Sequence, residues 1–449
     1  MVYLDHAATT PMRPEAVEAL TSALAVVGNP SSIHSAGQQA KRLLEESRER
    51  IAATLGADAI EVVFTGNGTE AVNLAIKGLW WSRQASAPAG RPRSRILVPA
   101  GEHHATLDTI DWLATHEGAV IDEVPLDELG RLRLDLLEAE LARDAASVAL
   151  VTMLWANNEV GTIQPVEDVA RLAARAGVPL HVDAIAAYGQ LPIDFRGLRR
   201  ATDAPRGAGL VALSVSAHKI GGPAGIGALV LDRSAIVEPL IHGGGQQRRL
   251  RSGTQDVAAA AGFAAAATSV HDRLDADARR MSALRDRLTA GAVAAVPEAR
   301  LSGDPDPAGR LPGNVHLSFP GCEGDSLLFL LDAAGVAVST GSACQAGVPE
   351  PSHVLMAMGR TESDARGALR ITLGHDSTEA DVDAFLAALP AAYAQAAKAG
   401  LAGRLTSFGR LPGRPGHPSL TADAPWHPLA SCFSQEICGR GVAASGVSS

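Results

Sequence analysis

Cysteine is scarce in this 449-residue chain, with four residues at positions 322, 344, 432 and 438, and aromatic residues make up only 4% of it. So few, so unevenly placed thiols exclude a disulfide framework. Cys432 and Cys438 fit no zinc-ligand spacing and have no histidine pair beside them, so they read as surface thiols and no metal site is expected. No apolar run approaches the roughly 20 residues that span a bilayer. Met1-Val-Tyr-Leu-Asp5 also lacks the basic start and apolar stretch of a secretory signal, so the expectation is a cytoplasmic protein with no membrane partner. Basic charge is in deficit as well. A formal net charge of -10 supplies no basic face for phosphate neutralisation and argues against a general nucleic-acid binder. No internal repeat is found.

What remains is the composition of a globular protein, 46% hydrophobic and 20% charged, long enough for roughly two to three domains. Helical spacing over 14–25 and 35–55 leads to strand-like Glu61-Val-Val-Phe64, and a helix is predicted from Ala71 to Trp81. After an exposed connection over 82–95, strand-like 95–98, 120–124, 147–153, 179–184, the run up to Val215, and 226–231 alternate with helical stretches. That alternation predicts an α/β fold with a largely parallel sheet covered on both faces. From Ala258 long helical periodicity takes over, and the strand-like 314–319, 336–339 and 368–373 suggest a smaller α+β domain. The expected division is an N-terminal segment 1–14, a large domain 15–256, a small domain 257–400 and a poorly ordered tail 401–449, rich in Gly, Pro, Ser and Ala.

Several stretches carry chemistry. Leu213-Ser-Val-Ser-Ala-His-Lys-Ile-Gly-Gly-Pro223 delivers Lys219 where a strand ends. A desolvated amine there attacks carbonyls to form a Schiff base, although an ordinary turn lysine has the same setting. Thr65-Gly-Asn-Gly-Thr-Glu70 joins a strand to a helix start, which suits a phosphate; a plain turn with a threonine cap would look the same. His103, in Glu102-His-His-Ala105, follows a strand end, where ligand-facing residues of such sheets collect, with a capping or surface role the alternative. Asp183 ends an apolar strand and needs a cationic or hydrogen-bonding partner, for which a protonated heterocyclic nitrogen is suited. Asp5, His6 and Thr9 in the small-residue opening are further candidates to face a cavity. His242-Gly-Gly-Gly-Gln-Gln-Arg-Arg-Leu-Arg-Ser-Gly-Thr254 reads as a second anion-binding segment or a basic surface loop. Ser339-Thr-Gly-Ser-Ala-Cys344 offers one thiol among small residues. Arg370 interrupts an apolar strand and calls for a carboxylate, from a ligand or from the protein.

Taken in order, YLDHAATTP, GTE, EHHA, ANNEVG, HVDA, SAHKIGGP, HGGGQQRRLRSGT, STGSAC and LRITLG span residues 2 to 395. Each is weak alone. Together they resemble the NifS/IscS-type cysteine desulfurases, pyridoxal-phosphate enzymes of the class V aminotransferase family, in the branch with an S-x-G-S-A-C loop. The resemblance implies a fold-type I transferase that converts L-cysteine to L-alanine and passes the sulfur to an acceptor. It implies that Lys219 anchors pyridoxal phosphate as a Schiff base, Asp183 pairs with the ring nitrogen, and His103 stacks on the ring and assists proton transfer. Gly68, Thr69, Ser216, His218 and, from the partner subunit of a homodimer, Thr254 hold the phosphate. Asn158 and Arg370 grip the substrate carboxylate, Asn158 lying also near the ring oxygen, and Cys344 receives the sulfur as a persulfide, with Gly341 and Gly347 permitting its loop to swing. The implied acceptor is an iron–sulfur scaffold or a tRNA-thiolation enzyme, and Cys344 is the residue that a cluster would touch in passing. The family carries glutamine three residues after the strand-end aspartate, whereas this chain has Ala186, which implies weakened cofactor electronics. Other readings are a different pyridoxal-phosphate enzyme, such as a selenocysteine lyase or an aminotransferase, and a catalytically impaired scaffold.

Overall fold

The computed structural model describes residues 1–341 and 351–406, with side chains described as far as Lys398. Cys344, Gly347, Cys432 and Cys438 lie outside the described residues. Among these residues a seven-stranded sheet runs in the order Val62–Thr65, Gly227–Leu231, Gly209–Ser216, Pro179–Asp183, Val148–Leu154, Arg95–Pro99, Val120–Val124. All neighbours are parallel except Gly227–Leu231, which is antiparallel to both strands beside it. This agrees with the α/β alternation, because parallel neighbours need crossover helices and those helices cover the faces.

Side-chain alternation along the strands feeds two separate cores. Val62, Phe64, Leu97, Ala228 and Val230 pack into one. Val63, Ile96, Val98, Leu229 and Leu231 pack into the other, under the helix Gly68–Ala85. A third core surrounds a small antiparallel sheet in which Asn314–Ser318 lies between Ala368–Thr372 and Arg300–Leu301. One 39-residue helix, Val257–Ala295, joins them. Its first part places Ala260, Phe263, Ala264 and Ala267 in the first core, and its last part places Met281, Leu284 and Leu288 in the third. At 1.5 Å per residue such a helix is about 58 Å long, enough to serve both cores without a break.

The N-terminal residues stitch these parts together. Val2–Tyr3 pairs with Val336–Ala337, the amide of Thr372 donates to the Leu4 carbonyl at 2.8 Å, and the amide of Arg13 donates to the Gly221 carbonyl at 2.8 Å.

Several local expectations are revised. The helix predicted from Ala71 to Trp81 begins at Gly68 and ends at Ala85, because Asn67 caps it and a buried Ser82 anchors its far end to the Ile236 carbonyl. The expected strand 336–339 is ordered as strand only at Val336–Ala337. Helices Phe195–Ala201, His353–Ala357 and Glu362–Arg366 were not predicted, since five to seven residues are too few to show a helical period. The tail expected from residue 401 begins instead as the end of the helix Glu379–Thr406, and the rest of it lies outside the described residues. No helix among the described residues is long and apolar enough to cross a membrane.

Candidate active site

The ends of the central strands and the edge of the small sheet enclose a cavity of about 410 Å³. Gly68, Thr69, His103, Asn158, Asp183, Ser216, His218, Lys219 and Arg370 all line it. These residues come from six separate stretches of sequence.

Lys219 sits in the single tight turn Ala217–Ile220 that ends the strand Gly209–Ser216. Gly221 closes that turn at φ 79, a left-handed conformation in which its missing Cβ matters. The ammonium donates to the carbonyls of Ala7 and Ala8, the latter at 3.0 Å. Burial lowers its pKa to about 8, with Arg370 adding to the effect and Asp5 and Asp183 opposing it. Asp183 ends its own strand two places away in the sheet order from Gly227–Leu231, beside the lysine's strand. One of its oxygens accepts from the Ile185 amide at 2.9 Å, and burial raises its pKa to about 6 against the pull of Lys219. The pair is thus an amine made easier to deprotonate and a carboxyl made easier to neutralise, as expected where a bound group is to supply the missing charge.

The helix start at Gly68 is built for an anion. Asn67 caps it by accepting from the Glu70 amide at 2.8 Å, so the Thr69 hydroxyl has no capping duty. A Cβ on Gly68 would lie 2.3 Å from the Ile185 Cδ1 tip and 3.2 Å from the Ser216 Cβ, so a side chain there would crowd the space between them. Ser216 Oγ is buried with no hydrogen-bond partner. His218 is held by Thr9, whose hydroxyl lies 3.3 Å from Nδ1. A dipole end, two hydroxyls and an imidazole converge at this end of the cavity, a donor set that fits a phosphate.

His103 caps the helix His104–Glu117, with Nδ1 accepting from the Ala105 amide at 3.0 Å. That bond puts the proton of the neutral ring on Nε2. The ring is open to the cavity, and the surrounding protein, followed by the Lys219 charge, lowers its pKa to about 4. In the Asn157–Asn158 pair, Asn157 is structural: its Oδ1 accepts from the amides of Glu159 and Val160, and Nδ2 donates to the Gly101 carbonyl. Asn158 is left facing the cavity. At the opposite wall Arg370 donates to the Asn158 carbonyl and to Asp5, both at 3.1 Å, and its buried Nε has no partner.

Other candidates lie elsewhere. His6 lines the cavity, whereas Asp5 and Thr9 stand behind it and act through Arg370 and His218. Thr254 is exposed and does not line it. The loop that carries Thr254 is tied back to the rest of its own chain: Gln247 accepts from Arg48 and from the Phe64 amide, and Arg251 pairs with Glu70 at 2.9 Å. Gly341, at φ 84, is held by Ser339 Oγ, which accepts from its amide at 3.1 Å. Ala186 lines the cavity beside Gln190, whose amide nitrogen reaches the Ala186 carbonyl at 3.4 Å.

Sequence reasoning missed Glu102, Glu159 and His353. Glu102 is fully buried, one oxygen accepting from the Leu154 amide at 2.9 Å, and its pKa is raised well above the carboxylate range by burial, with Asp183 adding to the rise. His353 lines the cavity, with Nε2 2.8 Å from the Glu102 carbonyl. Glu159 accepts from Ser352 at 2.6 Å. An acid directly before His103 was a visible signal; the short helix of His353 left none. Cys322 is buried and its thiol is pushed up to about 11, which marks it as a packing residue.

Residues 2–385 match the family described as aminotransferase class-V. An IscS-like cysteine desulfurase of Mycobacterium tuberculosis (strain ATCC 25618 / H37Rv) is 51% identical over 402 residues, covering 90% of this chain and 98% of that one. Among solved structures, a NifS-like protein superposes with a TM-score of 0.78 at 34% identity, covering 88% of this chain and 99% of the other. SspA in complex with cysteine superposes with a TM-score of 0.68 at 30% identity, covering 83% and 99%. With that coverage, and with nine motif residues of the sequence meeting on one cavity, the chain belongs to the IscS/NifS-like cysteine desulfurases of the aminotransferase class-V family.

Proposed function

We propose that this protein is a pyridoxal-phosphate-dependent cysteine desulfurase that forms L-alanine from L-cysteine and collects the sulfur as a persulfide on Cys344. The observation that carries this reading is the pairing, in one cavity, of an amine whose pKa is lowered to about 8 with a buried carboxyl raised to about 6. The relatives support it, since their family is generally pyridoxal-phosphate dependent and one solved neighbour holds cysteine. When bound, pyridoxal phosphate supplies an aldehyde that captures amines and a ring that withdraws electrons from the substrate carbon.

This chain's residues do the rest. The amides of Gly68 and Thr69, with Ser216, His218 and the partner subunit's Thr254, bind the phosphate. Asp183, once ionised, holds a proton on the ring nitrogen. Lys219, its pKa lowered to about 8, would hold the cofactor through its neutral amine and would move protons at Nζ. His103, with its N–H at Nε2, would pack against the bound cofactor and assist proton transfer. Asn158 and Arg370 orient the substrate carboxylate. The Cys344 thiolate attacks the substrate sulfur and the carbon–sulfur bond breaks; its electron pair goes to carbon, which takes up a proton, and the sulfur stays on Cys344. Alanine and the persulfide together account for every atom. Ala186 removes one hydrogen bond from this site, which slows turnover without abolishing it.

The same reading makes the protein a cytoplasmic homodimer that delivers sulfur to an iron–sulfur scaffold or a thiolation enzyme. It treats 15–256 as the cofactor-binding domain, 257–400 as the small domain, and 1–14 as a segment packed with the latter. The test is alanine formation from L-cysteine together with mass spectrometry of Cys344. The reading expects one added sulfur there, lost with alanine formation in Cys344→Ser. Full sulfide release by that variant would overturn it.

A further inference from the structure

Asp5 was singled out in the sequence, yet it does not line the cavity and has no place in the mechanism above. Its side chain is instead the carboxylate that Arg370 calls for. The two form an ion pair at 3.1 Å, with the side chains 20% and 8% exposed. The residues are 365 positions apart in the chain, but their backbones are neighbours: Asp5 bridges in parallel to Thr372, and the Thr372 amide donates to the Leu4 carbonyl at 2.8 Å. Leu4 is itself held by Ala337, and the hydroxyl of Tyr3 donates to the Asp5 carbonyl at 3.1 Å. Asp5 is therefore a fixed acceptor bridged to the strand that carries the arginine.

We infer that Asp5 is a positioning residue for substrate recognition: it locks the plane of the Arg370 guanidinium so that the edge facing the cavity receives an α-carboxylate. The inference rests on the proposed desulfurase reading. A guanidinium on its long chain has many rotamers, and its fork recognises a carboxylate only in one plane. Two acceptors on different elements define that plane here, the Asn158 carbonyl on Nη1 and Asp5 on Nη2. Asp5 also carries a negative charge, which opposes a second carboxylate. Because Asp5 stands behind the arginine, off the cavity wall, the substrate sits nearer the cation than the anion, and orientation outweighs repulsion.

The test compares L-cysteine with L-cysteine methyl ester, which lacks the carboxylate, on cofactor-loaded enzyme. In Asp5→Ala the KM for L-cysteine is expected to rise about tenfold, the loss of one charge-assisted hydrogen bond, with kcat held within about threefold. Ester turnover stays at the wild-type level, so acid-over-ester preference falls by the same factor. Asp5→Asn keeps the acceptor without the charge and restores the KM to within about threefold of wild type. Undiminished preference in Asp5→Ala, or acid and ester rates falling in step, would overturn the inference while leaving the desulfurase reading intact. Failure of that reading is a separate result: wild-type enzyme would form neither alanine from L-cysteine nor alanine methyl ester from the ester, and the inference would fall with it.

Discussion

Replacing Asp183 by asparagine is expected to make the cofactor-free protein more stable at neutral pH while abolishing the enzyme. Burial raises this carboxyl from 3.8 to about 6. At 1.36 kcal/mol per unit, ionising it in the fold costs about 3 kcal/mol. Between the two values the folded protein keeps a proton that the unfolded chain has released. Stability from this group is therefore fully present below the unfolded value of 3.8 and is lost as pH rises through about 6. Going from pH 4.5 to pH 8 removes about 2 kcal/mol of it. In a protein of this size that corresponds to about 2 °C in Tm. Asparagine has no such titration and keeps an oxygen for the Ile185 amide, now 2.9 Å from Asp183. Thermal unfolding of stripped wild type and Asp183→Asn at the two pH values should show the variant gaining about 2 °C on wild type at the higher pH. The loaded variant should lose alanine formation, because a neutral amide cannot hold a proton on the ring nitrogen. A Tm difference that does not move with pH would mean that Asp183 does not titrate in this window, and the argument from burial would fail. The expected result is a site destabilised for the sake of its ligand.

Lys219 makes a second pH prediction. With its pKa lowered from 10.5 to about 8, the neutral amine is about one-tenth populated at pH 7. Reloading stripped protein with pyridoxal phosphate, followed by absorbance, should quicken about tenfold per pH unit below that value and level off above it. Restoring glutamine at the cavity-lining position in Ala186→Gln should tighten pyridoxal phosphate about five- to tenfold in a direct titration, the worth of one hydrogen bond. In Gly374→Ala a new Cβ would lie 2.1 Å from His6 Nδ1. Overpacking of that kind costs about 1–3 kcal/mol, so a lower Tm is expected, together with a weaker grip on substrate as the wall carrying His6 shifts.

The order of elements and the identity of the chemical residues were legible in the sequence because each depends on neighbours along the chain. Strand periodicity, glycine turns and a lysine or aspartate at a strand end are local signals, and they placed His103, Asp183 and Lys219 at the element ends where the structure has them. The family resemblance added roles to those positions. What the sequence could not decide was which acceptor holds which donor. Asn67 rather than Thr69 caps the helix, Asn157 rather than Asn158 is tied into its loop, and Asp5 meets Arg370 across 365 residues. His353 joins the wall from a helix too short to announce itself. The shifted pKa values of Lys219 and Asp183 come from the same source, since burial and the charges of distant residues set them. Periodicity and turn chemistry are properties of short segments, whereas desolvation and pairing exist only once the chain has closed around the cavity.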